Sequence, residues 1–367
     1  LIPNKLQPFQ LFVLMVLFEV GSSVVVGLGL EVKQDAWLAI LLGLLGGLVL
    51  FSLYIYLYTQ FPDLSMMNYL ELIVGKMIGR LLAVIYICLF LYIAARVLRI
   101  FCELVLITIL VETPILVIAI MFMAVICFAC YLGFEVIART AEIFFFWVMF
   151  FSFLFILFIL ISGLPKLENL QPVLEGGWQP IWKVAFPTIF SFPFGESIVF
   201  TIFFPYLNSQ KQGVISGFLG IIFSGIILLI ATTVMISVLG PYAAKISTFP
   251  LLDTVEKINI GDVFQRLDPI ALIMLIIGGF FKITIFFLGA IEGISNLINK
   301  DQITKYTIPI LGTAVIALSI LMAPNYIEHA VVGNKIIPKY VYIPLFMVVP
   351  FLLVMIVFFK KKWLMNK

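Results

Sequence analysis

From Pro114 to Leu132 the chain carries no charged residue. A run of that length matches the hydrocarbon thickness of a bilayer, which a helix crosses in about 20 apolar residues. Similar runs recur along the whole sequence. Hydrophobic residues make up 63% and charged residues 11% of the 367, and the mean hydropathy of +1.23 has no use in a soluble chain. An all-α integral membrane protein is expected. The net charge of +3 says little of nucleic acid, because the basic residues sit at helix ends and form no aromatic-studded patch. The run after Lys5 lacks a small-residue cleavage site and reads as a retained first span.

Hydropathy and helix breakers divide the chain into ten spans. They lie at about 7–30, 35–60, 76–111, 114–132, 135–162, 180–207, 213–239, 267–298, 304–322 and 340–359, with a short amphipathic helix at 65–74. Two polar connections, 163–179 and 240–266, carry Pro165, Pro172, Pro241 and Pro250. Lys5, Lys76, Arg80, Arg139, Lys211, Lys300, Lys305, Lys360, Lys361, Lys362 and Lys367 gather on one side, so the positive-inside rule places both termini in the cytoplasm. Residues 361–367 form a cytoplasmic tail, and 163–179 lies outside. Cys88, Cys102, Cys127 and Cys130 all fall within spans, and the Cys127–Cys130 spacing reads as helix packing rather than metal or redox chemistry. Arg139 and Glu142, at the start of the fifth span, are expected to pair at the interface.

The sixth span contains the stretch FSFPFGESIVF, Phe190–Phe200. Pro193 removes a backbone donor and clashes with the preceding turn. Gly195 accepts dihedrals that other residues avoid. Ser191, Glu196 and Ser197 can satisfy the freed groups. The first span holds a counterpart, EVGSS at Glu19–Ser23, and aligning Gly21 with Gly195 sets Ser23 on Ser197. Two interrupted helices, each opening a set of five, are the sequence sign of an inverted repeat with a solute site where the breaks meet. The halves would be 7–162 and 180–360, together one transmembrane domain. Ordinary glycine and proline kinks are the alternative.

Charges within the spans sharpen this picture, because each costs roughly 2.5–3.5 kcal/mol at mid-bilayer and so should face a partner inside the bundle. Arg96, Arg99 and Glu103 share one face of the third span. Lys282 lies near the middle of the eighth, and Glu19 and Glu196 lie at the two expected breaks. Arg99 with Glu103, and the others with Glu19 or Glu196, would make a purely structural cluster. Lys282 and Glu196 also suit a proton-responsive gate or coupling site, since the pKa of a lysine falls readily on burial and lets it gain and lose a proton near neutral pH.

No enzyme motif is present. His329 is the only histidine, which excludes a zinc cluster or a Ser–His pair, and no G-x-x-x-x-G-K-[ST] loop occurs. Neither cofactor nor metal is expected.

The interrupted first and sixth spans resemble those of the amino acid–polyamine–organocation transporters. Within that group the chain is most similar to the endospore germination permeases, the B subunits of spore germinant receptors. The likeness rests on QLFVLMVLFEVGSSVV near the start, NLQPVLEGGWQPIWKVAFPTIFSFPFGESIVFTIFFP across the sixth span, and RLDPIALIMLIIGGFFKITIFFLGA in the eighth. It implies ten helices in a five-plus-five inverted repeat with discontinuous first and sixth helices. It also implies residence in the spore inner membrane, a small nutrient ligand (amino acid, sugar or nucleoside), and partnership with a larger A subunit and a lipid-anchored C subunit. By the same resemblance Gly21, Ser22, Ser23, Phe192, Gly195, Glu196 and Ser197 would line the ligand pocket. Glu19, Arg96, Arg99, Glu103, Lys282 and Thr284 would form a coupling or charge network. Sodium-coupled relatives build an ion site from the first and eighth helices; Lys282 at that depth speaks against sodium, and Thr284 speaks for it. An autonomous proton-coupled amino acid carrier is the alternative function.

Overall fold

A computed structural model of the chain describes residues 6–260, 266–298, 304–323 and 326–365. Lys5, Lys300 and Lys367, which bear on the expected orientation, lie outside the described residues, as do the side chains of Lys305, Lys361 and Lys362. The described regular structure is helical, apart from isolated bridge residues, among them a parallel pair of Leu6 and Leu207.

Nine helices among the described residues are long and apolar enough to cross a membrane. The helices are α1 (Pro8–Val26), α2 (Ala36–Gln60), α3 (Met66–Val74), α4 (Lys76–Thr108), α5 (Ile115–Leu132), α6 (Phe134–Ile161), α7 (Trp178–Val184), α8 (Gln210–Leu239), α9 (Pro241–Ile246), α10 (Pro250–Glu256), α11 (Asp268–Ile298), α12 (Thr304–Leu321), α13 (Tyr326–Val331) and α14 (Val349–Met365). The sixth span continues from α7 to Ile202, and the last runs Pro338–Lys360. The expected ninth span is α12, whose apolar part, Tyr306–Leu321, is shorter than the rest.

Burial sorts the spans. The most apolar window is 78% buried in α1 and 72% in both the sixth span and α11, but 28% in α5, 22% in α6 and 33% in α8. The outer helices turn Phe128, Phe146, Phe153 and Ile215 outward, as lipid-facing helices do. The central helices touch one another: α11 packs along both α1 and α4, and the 3₁₀ stretch Phe194–Ile202 packs against α2 and α11.

The expected break at Glu19–Ser23 is not there. α1 is continuous through these residues. The Ser23 hydroxyl donates to the Glu19 carbonyl at 2.7 Å, inside the helix's own ladder. Gly21 serves close approach instead of unwinding: a Cβ there would lie 2.6 Å from the Gly278 carbonyl oxygen of α11, and one at Gly278 would lie 2.8 Å from the Gly21 Cα. The two backbones meet because neither has a side chain, the small-residue contact familiar in membrane bundles. α1 ends one turn beyond, where Gly27 and Gly29 take left-handed dihedrals (φ 66° and 74°).

The sixth span is interrupted as expected. α7 gives way to a wide π turn at Ala185–Ile189, where Phe186 leaves helical dihedrals, and a long 3₁₀ stretch resumes at Phe194. Freed carbonyls find hydroxyls: Ser191 donates to Pro187, Ser197 to Phe194 and Thr201 to Ile198, each at 2.6 Å. The last span is irregular as well, with a π helix over Pro338–Val348. Pro350 has no N–H for the Phe346 carbonyl, and the Tyr54 hydroxyl supplies it at 2.6 Å while lying 3.2 Å from the Gly195 carbonyl. Tyr86 donates to the Leu345 carbonyl in the same way. The second interruption therefore belongs to the last span rather than the first.

Arg139 pairs with Glu135 at 2.6 Å, one helical turn back, and Glu142 instead accepts from Gln10 at 3.4 Å. The connection 163–179 is pinned rather than loose: Asn169 donates to the Ser237 carbonyl, Gln34 to the Pro172 carbonyl, and the Leu174 N–H to Asp35.

Gly278→Val should lower the apparent melting temperature of the purified protein, consistent with overpacking at about 1–3 kcal/mol. Gly176→Ala, whose added methyl would meet Pro180 at 3.4 Å, should leave it unchanged. Equal melting temperatures for both variants would remove the α1–α11 backbone contact from the account.

Candidate functional site

The charges of the central helices converge. Lys282 of α11 sits 2.7 Å from the Glu196 carboxylate, and both side chains are sealed from solvent. The contact is an ion pair rather than a well-directed hydrogen bond. Phe18 and Phe192 close round the ammonium, with ring centroids 4.9 and 4.7 Å from Nζ, a cation–π arrangement that adds to the pair in a dry site. Phe18 in turn packs on Phe200 and Phe286 at about 5 Å. Glu19, wholly buried on α1, lies within electrostatic reach of Lys282 and Glu196. Its carboxylate oxygens, with the hydroxyls of Ser22 and Thr284, have no hydrogen-bond partner among the described residues. Glu196 holds the ammonium, and Glu19 is a second carboxylate in its neighbourhood.

A line of polar groups leads away from this pair. The Tyr342 hydroxyl accepts from Arg96 Nη1 at 3.3 Å, and Tyr342 lies within electrostatic reach of Glu196. Arg96 borders a cavity of about 370 Å³, which the Gly27–Gly29 turn at the end of α1, Thr188 and Phe192 of the sixth span, Lys245 and Ser247 near α9, and His329 of α13 also line. Phe192 therefore has two duties: it borders the cavity and covers the Lys282 ammonium. A second cavity of about 280 Å³ lies against Gly21 and Gly278, between α1, α6, α8 and α11. Its walls are aliphatic and aromatic apart from Ser152, so it offers little to orient a polar solute.

Of the residues expected to line a pocket, Phe192 borders the larger cavity and Gly21 the apolar one. Ser22, Ser23, Gly195, Glu196 and Ser197 are buried beneath. The expected charge network divides in two. Glu19, Glu196 and Lys282 form the inner group. Arg99 binds Glu103 at 2.7 Å and lies 3.5 Å from the Ser319 carbonyl, a structural staple between α4 and α12. Arg96 stands between the two groups, facing the cavity.

A family model described as a spore germination protein matches residues 5–327. The chain belongs to that family. Spore germination protein KB of Bacillus subtilis (strain 168) is 35% identical over 353 residues, covering 96% of this chain and 94% of the relative. Spore germination protein YndE of the same organism is 26% identical over 280 residues, 74% of each chain, and spore germination protein A2 is 25% identical over 339 residues, 89% and 87% of the two.

In this spore germination protein several site residues escape sequence reading. Tyr342 and Tyr54 look like ordinary span aromatics; the only signal for them is the proline pair, Pro344 and Pro350, that frees carbonyls beside them. His329 reads as a loop histidine, yet α13 buries it in the cavity wall. Burial, with the charges of Arg96 and Arg99, holds its imidazole down to about 3 from the ordinary 6.5.

Lys282→Met should leave Glu196 stranded and cost about 3–5 kcal/mol of stability, whereas combining it with Glu196→Gln should restore most of the loss. Thermal unfolding of both variants checks this, and an equal loss in the double variant would exclude a coupled pair. For His329 the sign follows from linkage. The folded chain refuses a proton that the unfolded chain takes up below about pH 6.5, so stability is full above that pH and declines beneath it. His329→Gln should flatten this decline between pH 6.5 and 5 in a pH series of melts.

Proposed function

We propose that this chain is the membrane-embedded B subunit of a spore germinant receptor. It senses a small nutrient, an amino acid first and a sugar or nucleoside as alternatives, and signals to A and C partner subunits in the spore inner membrane. Family membership and the names of its relatives support the setting. The observation that carries the sensing role is the succession of polar groups from the 370 Å³ cavity, through Arg96 and its hydrogen bond to Tyr342, toward the dry Glu196–Lys282 pair. A ligand that engages Arg96 or displaces Phe192 alters the surroundings of a buried charge, and a buried charge responds strongly to its surroundings. Such a pair suits a two-state bundle whose balance a ligand shifts.

The same proposal takes the ten spans as two inverted five-helix halves, 7–162 and 180–360, with both termini cytoplasmic. The central position of α1, α4, the sixth span and α11, which are the first and third spans of each half, supports it. A proton-coupled amino acid carrier is the second reading. Glu19 favours it, since a second buried carboxylate beside one ammonium offers a place for one transported proton.

Tyr342→Phe removes one hydroxyl from the polar line and should weaken the germination response to nutrient by about tenfold or more, with normal protein in the membrane. An unchanged dose–response curve would refute the proposed line. Reconstitution of the lone chain separates the two functions: ligand binding without radiolabelled amino acid uptake supports the receptor, and robust proton-driven uptake supports the carrier.

A further inference from the structure

Exposed backbone N–H groups at the start of a half-helix suit a ligand carboxylate. α1 is continuous and gives no such half-helix at Glu19–Ser23. The cavity offers another partner for a negative charge. Its charged lining is Arg96 and Lys245 against one acid, Glu31, with hydroxyls from Thr188, Ser247 and Thr248. Arg96 is 7% exposed and deep, while Lys245 and Glu31 are exposed at the mouth, where Lys245 donates to the Glu31 carbonyl at 3.3 Å.

We infer that Arg96 is the anchor for a ligand carboxylate in this cavity, so that the chain binds its nutrient as an anion or zwitterion with the carboxylate end innermost. The inference rests on the sensing role proposed above and specifies its ligand class. A guanidinium carries five donors and makes charge-assisted hydrogen bonds to carboxylates, so Arg96 can take a ligand while Nη1 also serves Tyr342. Water competes weakly at a group so little exposed. The imidazole of His329 beside it stays neutral and leaves the field to Arg96. An amino group, if present, is directed outward toward Glu31, the one carboxylate of the lining. A cavity of about 370 Å³ lies at the small end of ligand pockets, which suits a metabolite of few atoms.

Gly333 supplies an independent handle. A Cβ at that position would fall 1.8 Å from Arg96 Nη2 and 2.2 Å from its Cζ. The glycine thus makes the seat in which the guanidinium lies, and Gly333→Ala moves the fork without removing its charge.

The test is a thermal-shift and equilibrium-binding series on the purified full chain. The probes are L-amino acids, the same compounds as carboxamides, a hexose and a purine nucleoside. At least one amino acid should raise the melting temperature, its carboxamide should bind about tenfold or more weakly, and Arg96→Gln should erase that difference. Gly333→Ala should weaken the acid several-fold more than the amide, which decides the matter if Arg96→Gln fails to fold. Equal binding of acid and amide by the parent chain, or tight acid binding by a folded Arg96→Gln, would overturn the anchor. Binding of the hexose or nucleoside alone would overturn the anchor and leave the sensing role intact. No shift with any probe would count against both.

Discussion

A lysine and a glutamate meet at 2.7 Å where no water reaches them. Either one alone in that place would cost several kcal/mol, so each element carrying one is held by the other. α11 and the sixth span are thereby tied at mid-bundle. α1 must then come close enough to shield the pair, and the bare backbones of Gly21 and Gly278 permit it. Phe18 from α1 and Phe192 from the sixth span finish the enclosure.

The same absence of water governs the interruptions. Where the helix ladder is irregular, hydroxyls serve several carbonyls: Ser197 and Thr201 within the sixth span, Tyr54 and Tyr86 from neighbouring helices beside Pro350 in the last one. These donors tie the irregular segments to α2 and α4. They hold the irregular segments in place around the inner ion pair, hydrogen bonds that in a dry interior have few other places to go.

Much of this was legible in advance. The apolar runs, the amphipathic helix before α4, the break at Pro193–Gly195 and the charges in need of partners are all local properties of the letters. The reading failed where one residue type serves two purposes. Gly21 with Ser22 and Ser23 has the composition of a break, yet glycine is equally the residue of helix contact, and a serine can donate within its own helical turn. The true end of α1 lay one turn on, in Gly27-Leu28-Gly29, a signal present in the sequence but weaker than its neighbour. Glu142, three residues on, is an equally good match for Arg139 on a helix face, but Glu135, four residues back, is the partner.

By itself the sequence determined that this is a bundle of membrane-crossing helices and that Glu19, Arg96, Arg99, Glu103, Glu196 and Lys282 would be buried, because hydropathy and the cost of a charge in lipid need no knowledge of neighbours. Only the tertiary structure decided who pairs with whom: Arg99 with Glu103, Lys282 with Glu196, Arg96 with Tyr342 and an open cavity. Pairing depends on how α4, α11 and the last span are rotated about their axes. That rotation is set by the fit of many side chains at once, and no short stretch of sequence contains it.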